Sequence, residues 1–375
     1  MWLLTLLLCS TVGAIGDRGP ADADQNLALC AARPRHSCRS WDQKLDPALH
    51  SLLDALDDLQ GSSCFANEVC AADKLLKSLD LSKKYTVFAV STWPGSSPNP
   101  TPTPGRTVAR GNGNTNNEAA LALHFWKRGD SPPDLRTQEV TLQTSLTDPE
   151  YVNLGPNVPA NIVSRPDRES GRKNVTLTSG LGKSVSVQLI DKEYVSGSIQ
   201  VARSFLTLPK PFDQTLLETG GKRFHDALKN ASLLGGASTT PGVTAFVPTD
   251  AAFNGVSVDQ SVLRQHLLYG VLAYTPELKD AARFRTENGS ALVVSAQNAA
   301  YSVNGARIVT PNVITKNGVI HYVDKFFTFN ELAAASTGTG SNQNRDKKSG
   351  AVGHDSLFGP MSGFLVGAIH AVFAA

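Results

Sequence analysis

The side chains best suited to chemistry are few. Cys30, Cys38, Cys64 and Cys70 fall in one short window and are even in number, which in an oxidising compartment implies a disulfide framework. Four cysteines allow three connectivities, and the spacing does not choose among them. A zinc site is the competing chemistry, but no Cys-x-x-Cys occurs and no His stands at finger spacing, so no metal is expected. His266 and His321 are the candidates for acid–base work. His266 shares an apolar helical face with Val262, Leu263 and Leu267, and His321 sits in an alternating strand. Rings so placed ordinarily satisfy both nitrogens with buried polar partners, so a structural role is expected. Asp324 is expected to pair with such a His or with a backbone amide. The chain lacks Gly-x-Ser-x-Gly, His-Glu-x-x-His and a Walker loop, and no Cys is expected to persist as a free thiol. A hydrolase or other enzyme is therefore not expected, and no catalytic residue or cofactor is assigned.

Charge narrows the partners. Lys and Arg number 35 against 33 Asp and Glu, and this balance excludes nucleic-acid binding by bulk charge, which needs a clustered basic surface. With 41% hydrophobic residues over 375 positions, the chain can bury cores for two domains and is not disordered throughout.

Both ends carry processing signals. Met1 to Ala14 is apolar, uncharged and followed by small residues, which reads as a signal peptide over residues 1–16, too short to span a bilayer. In a secreted chain the Asn-x-Ser/Thr triplets at Asn174, Asn230 and Asn288 become N-glycosylation acceptors. Phe364 to Ala375 is an apolar tail behind a polar spacer and the small trio Ser349-Gly350-Ala351. That order reads as a GPI-attachment propeptide over 350–375, with Ser349 the first candidate for the lipid and a flexible stalk over 333–349. Membrane contact is thus expected through a lipid anchor.

Between the ends, Asp46-Pro47 reads as the N-cap and first residue of a helix. Leu49, Leu52, Leu53, Leu56 and Leu59 recur on its apolar face, and Asp54, Asp57 and Asp58 lie on its solvated one. A second helical stretch around Leu75, Leu76 and Leu79 leads into a strand over Tyr85 to Val90, and residues 94–117 form a Pro/Gly-rich surface insertion. Strands are expected over Val185 to Ile190 and Ile199 to Val201. A second unit begins near Phe212 with helical patterning through Leu228, then a strand over Val243 to Val247, then the helix of His266. After the strand, Pro248-Thr249-Asp250 should turn the chain, with Thr249 or Asp250 capping a short helix through Phe253. Asn288-Gly289, Asn304-Gly305 and Asn317-Gly318 are expected to form type I′ turns separating at least four antiparallel strands. Each half runs helices first and a β-rich segment last, an α+β layout.

These residues resemble the fasciclin (FAS1) family. Thr244 to Phe253, with Phe246, Pro248 and Thr249, is similar to its first signature box, and Asn317 to Lys325, with Gly318, His321 and Asp324, to its second. Leu263 to Gly270, with His266, resembles the family's His-containing helix, and Val303 to Ala306 its central hairpin. The first half resembles a diverged copy. Tyr85 to Thr92, His124 and Gly197 to Ala202 keep the order, but the Pro-Thr-Asp continuation and the second box's His and Asp are missing. The resemblance implies two tandem fasciclin-like β-wedge domains with flanking helices, over 43–209 and 211–329. It implies a role in cell-surface and matrix adhesion, without catalytic residues, in which the motif positions act in folding. Some members carry an acidic-hydrophobic receptor element before the second box; the corresponding segment here, Pro311-Asn-Val-Ile314, lacks the acid. The partner expected is a cell-surface or matrix protein or glycan, homophilic contacts included, and no nucleic acid. The alternatives are a module for a small apolar ligand, lipid or polysaccharide, and a passive wall or matrix constituent.

Overall fold

The computed structural model describes residues 46–91 and 115–327, apart from 60, 81, 130, 172, 298 and 299. The expected signal peptide, Cys30, Cys38, Ser349, and the expected stalk and attachment propeptide lie outside them. Helix α1, Pro47–Asp57, begins where the Asp46 carboxylate accepts the Ala48 N–H at 2.8 Å, with proline at the first helical position. Leu49, Leu52, Leu53 and Leu56 are buried while Asp54, Asp57 and Asp58 are exposed. Two short helices follow, α2 (Ser63–Ala71) and α3 (Asp73–Ser78). Periodicity had not announced α2; it buries Phe65, Ala66 and Val69.

The first sheet comprises β1 (Tyr85–Val90), β2 (Phe125–Lys127), β3 (Val140–Gln143), β4 (Asn161–Pro166), β5 (Asn174–Thr178), β6 (Ser184–Tyr194) and β7 (Gly197–Ala202). Their spatial order is β2-β1-β7-β6-β5-β4-β3. A bridge between Trp126 and Thr144 brings the two ends together, so the sheet is nearly a closed barrel. Helix α4, Thr115–Ala122, enters β2. It takes in the last three residues of the expected 94–117 insertion.

The second half repeats this plan. Helices α5 (Phe212–Thr219), α6 (Lys222–Asn230) and α7 (Leu234–Thr239) precede β8 (Val243–Pro248). Then come α8 (Gln260–Gln265), β9 (Leu267–Leu268), β10 (Arg283–Arg285), β11 (Ala291–Gln297), β12 (Ala300–Val303), β13 (Ala306–Thr315) and β14 (Gly318–Val323). Read from the β9 edge the order is β9-β8-β14-β13-β12-β11-β10, the same as in the first sheet with every strand seven places on. The Glu287 N–H donates to the Leu267 carbonyl at 2.8 Å and draws the edges together. In each sheet the first and last strands pair parallel, Tyr85 opposite Gly197 and Val243 opposite Gly318. β1, β8 and β14 are buried at every residue, as parallel strands covered on both faces require. The fold is α+β: two nearly closed sheets, each with its own helices.

Of the three Asn-Gly pairs expected to form type I′ turns, Asn304-Gly305 alone does so. Asn304 and Gly305 have φ of 45° and 78°, both left-handed. At Asn288-Gly289 the glycine alone is left-handed, and the Asn288 Oδ1 accepts the Ser290 N–H at 3.2 Å and the Thr286 hydroxyl at 2.6 Å. At the third, Thr315 pairs with Gly318, so Lys316 and Asn317 make the turn and Gly318 already opens β14.

Candidate functional site

The histidines singled out by sequence lie in the cores. His266 is the C-cap of α8 and not a residue within the helix, because the chain turns there into β9. Its Nδ1–H donates to the Phe246 carbonyl at 2.7 Å, its Nε2 accepts the Phe327 N–H at 3.3 Å, and its ring stacks on Phe327 with centroids 4.2 Å apart. His124 repeats the arrangement in the first sheet, with Nδ1–H to the Phe88 carbonyl at 2.6 Å and Nε2 accepting the Leu206 N–H at 3.1 Å. His321, on β14, uses the opposite tautomer: Nε2–H donates to the Ala273 carbonyl at 2.8 Å and Nδ1 accepts the Asn312 N–H at 3.4 Å. Its ring stacks on Phe246. Gln200 stands at the matching position of β7, where its Oε1 accepts the N–H groups of Ile190 and Asp191 at 2.8 and 3.0 Å. The two sheets thus solve the same backbone problem, a bulge facing the last strand, with different side chains; sequence reasoning saw a missing His and not its substitute.

All three rings are 0% exposed. Desolvation lowers His266 to about 3 and His124 and His321 to about 4, against the hydrogen bonds that pull the other way. Both nitrogens of each neutral ring are engaged with backbone, which leaves none for proton transfer or a metal. The consequence for stability follows from linkage: between pH 6.5 and about 4 the unfolded chain takes up protons that the folded chain refuses. The stabilisation present above pH 6.5 is lost as pH falls through that window. Roughly 1.4 kcal/mol per pKa unit makes the sum several kcal/mol, so Tm is expected to drop by about 10 °C or more between pH 7 and pH 5. A flat Tm over this range in scanning calorimetry contradicts it.

The remaining motif positions hold strands and corners. Thr244 donates its hydroxyl to the Val271 carbonyl at 2.6 Å and accepts the Ala273 N–H at 3.0 Å. Pro248 pairs with Val323, and the Thr249 N–H donates to the Val323 carbonyl. The short 3-10 helix Asp250–Phe253 has no side-chain cap, contrary to expectation. The Asp250 carboxylate instead accepts the Arg223 N–H at 3.0 Å, capping α6, because that helix start lies beside the corner. Asp324 pairs with no His. It is 40% exposed and accepts the Arg307 N–H at 2.8 Å. At Gly318 a Cβ would sit 1.8 Å from the Val243 carbonyl oxygen, and at Gly197 equally close to that of Tyr85.

Among the sequons, Asn230 and Asn288 are exposed and Asn174 is half-buried. Cys70 is half-buried on α2 and is disulfide-bonded. Among the described residues no three His, Cys, Asp or Glu side chains gather as a metal site, and no helix is long and apolar enough to cross a membrane. A cavity under α1, lined by Leu49, Leu52, Tyr85 and Tyr194 among others, holds about 10 Å³, room for a water but far below the roughly 300–1,000 Å³ of a small-molecule site.

The segment Pro311-Asn-Val-Ile314 is not displayed. Ile314 packs with Val163, Tyr274 and Val319 where the two sheets meet, and Leu181 donates its N–H to the Ile314 carbonyl at 3.1 Å. The Asn312 Oδ1 accepts the Thr275 N–H at 2.9 Å. Across the same joint Asn153 donates to the Lys316 and Thr239 carbonyls, Glu139 accepts the hydroxyls of Thr275 and Tyr301, and Glu277 accepts that of Thr141. Burial foremost, with Glu139 nearby, raises the Glu277 pKa. Periodicity within one strand could not have found these contacts. Ile314→Ala is expected to cost about 2–5 kcal/mol and to split one calorimetric transition into two; a single unshifted transition contradicts it.

Residues 220–328 match the Fasciclin domain family model. A fasciclin-like arabinogalactan protein of Arthroderma benhamiae is 25% identical over 189 residues, which cover 48% of this chain and 43% of that protein. Fasciclin-like arabinogalactan protein elcF of Phaeosphaeria nodorum is 26% identical over 155 residues, 39% of this chain and 50% of its own length. Human periostin is 30% identical over 172 residues, 40% of this chain and 19% of periostin. The chain spans half or less of the length of these relatives. Its second sheet carries the matched motifs at the positions described, and its first sheet has the same strand order. Residues 220–328 thus match a fasciclin domain, and the strand order of their sheet recurs in the first half.

Proposed function

We propose that this chain is an extracellular adhesion or matrix-interaction protein that works by contact and carries out no reaction. The observation behind this reading is the repeated sheet: one half is a fasciclin domain and the other has its strand order, so one molecule presents two copies of a contact module. The partner is a cell-surface or matrix protein or glycan, a second copy of the chain included. Export through the 1–16 leader, glycans on Asn174, Asn230 and Asn288, and a lipid on Ser349 place it at the cell surface in this reading. Tethering matters physically, because molecules held on a surface act at high effective concentration and weak contacts add up.

The test is cell attachment to a surface coated with the full folded chain, together with phospholipase treatment of cells that make it. Attachment above an uncoated surface, and release of protein ending at or near Ser349, are expected. No attachment by any cell type, with the protein retained after phospholipase, overturns the proposal.

A further inference from the structure

We propose that Cys64 and Cys70 are each bridged to the N-terminal pair Cys30 and Cys38 and not to one another. Two disulfides would then tie the chain ahead of α1 to α2. Cys70 is disulfide-bonded, and both Cys64 and Cys70 belong to α2. Six residues along an α-helix separate their Cα atoms by about 9 Å of rise alone at 1.5 Å per residue. A disulfide needs Cα atoms within about 7 Å. The pairing inside α2 is thereby closed, and with it the connectivity that joins Cys30 to Cys38. Cys9 leaves with the leader, so the partner of Cys70 is Cys30 or Cys38, and the remaining N-terminal cysteine is left for Cys64.

Reach permits this. Cys38 stands a few residues before α1, which packs against α2 while its first residue, Pro47, is exposed. At about 3.3 Å per extended residue the intervening chain spans more than the helix pair needs. The helix is also a firm anchor, since Phe65, Ala66 and Val69 fix it in the first core and Cys70 packs against that core. Each bridge forms when two thiols lose two protons and two electrons to an external disulfide, which is reduced to its dithiol. Such an oxidant belongs to the export route, so the inference rests on that part of the proposed function.

Peptide mapping of the full chain, expressed through a secretory route and alkylated without reduction, tests it. Trypsin cuts after Arg35 and Arg39 and a Glu-specific protease after Glu68, which separates all four cysteines. The expected result is two cross-linked peptide pairs, each joining an N-terminal peptide to one from α2. A Cys30–Cys38 or Cys64–Cys70 pair overturns the bridges and leaves export standing. Four alkylated thiols overturn both.

Discussion

Gly318→Ala is expected to abolish the folded second sheet. The added Cβ would lie 1.8 Å from the Val243 carbonyl oxygen and under 3 Å from two further backbone atoms of that residue. No rotamer relieves a backbone collision. β14 would have to leave β8, and those two strands are the parallel, wholly buried pair of the sheet. Overpacking typically costs about 1–3 kcal/mol where side chains can yield; here the loss should exceed about 4 kcal/mol, the range reserved for diagnostic disruptions. Gly197→Ala should act alike in the first sheet, where the Tyr85 carbonyl oxygen is the obstacle. Gly235→Ala is the control, since a Cβ there meets nothing within 4 Å and Ala favours the helix by up to about 1 kcal/mol. Secreted yield and Tm of the three variants check this, and a Gly318→Ala protein that melts like wild type contradicts it.

His266→Ala is the second large effect. It removes a ring stacked on Phe327 and strands two buried groups at once, the Phe246 carbonyl and the Phe327 N–H. A cavity of that size and one or two unpaired polar groups together cost about 4 kcal/mol. His124→Ala should cost a similar amount, while exposed His50 on α1 tolerates Ala within about 0.5 kcal/mol. His266→Phe separates packing from protonation. It keeps a ring and loses the titration, so its Tm should fall less between pH 7 and pH 5 than that of wild type, whatever its starting stability. Equal slopes would mean that the His266 ring does not drive the pH response.

How much of this was legible depended on whether the determinant was local. α1 was readable because Asp46, Pro47 and four buried leucines all lie within three turns. α2 was not, since its buried residues Phe65, Ala66 and Val69 are interleaved with polar ones over a helix of 9 residues. β9 has two residues and no period to detect. The Asp250 cap was misassigned because its partner, Arg223, lies 27 residues earlier and is close only in the folded state. The Asn-Gly pairs show the same limit: the dipeptide permits a type I′ turn, but at Gly318 the glycine answers a neighbouring strand and not a turn. The joint was the least visible part. The unbroken burial of Val313 to Thr315 marks strand covered on both faces, one by its own core and one by the first sheet, yet the sequence names no second cover.

The most direct measurement is adhesion between beads coated with the glycosylated chain at graded surface density, compared with its self-association in solution. Contact through many weak sites predicts clustering that rises steeply above a threshold density while the free protein stays monomeric at micromolar concentration. Beads that neither cluster nor hold to cells or matrix at any density, carrying chain whose Tm matches that of the free protein, would contradict the account.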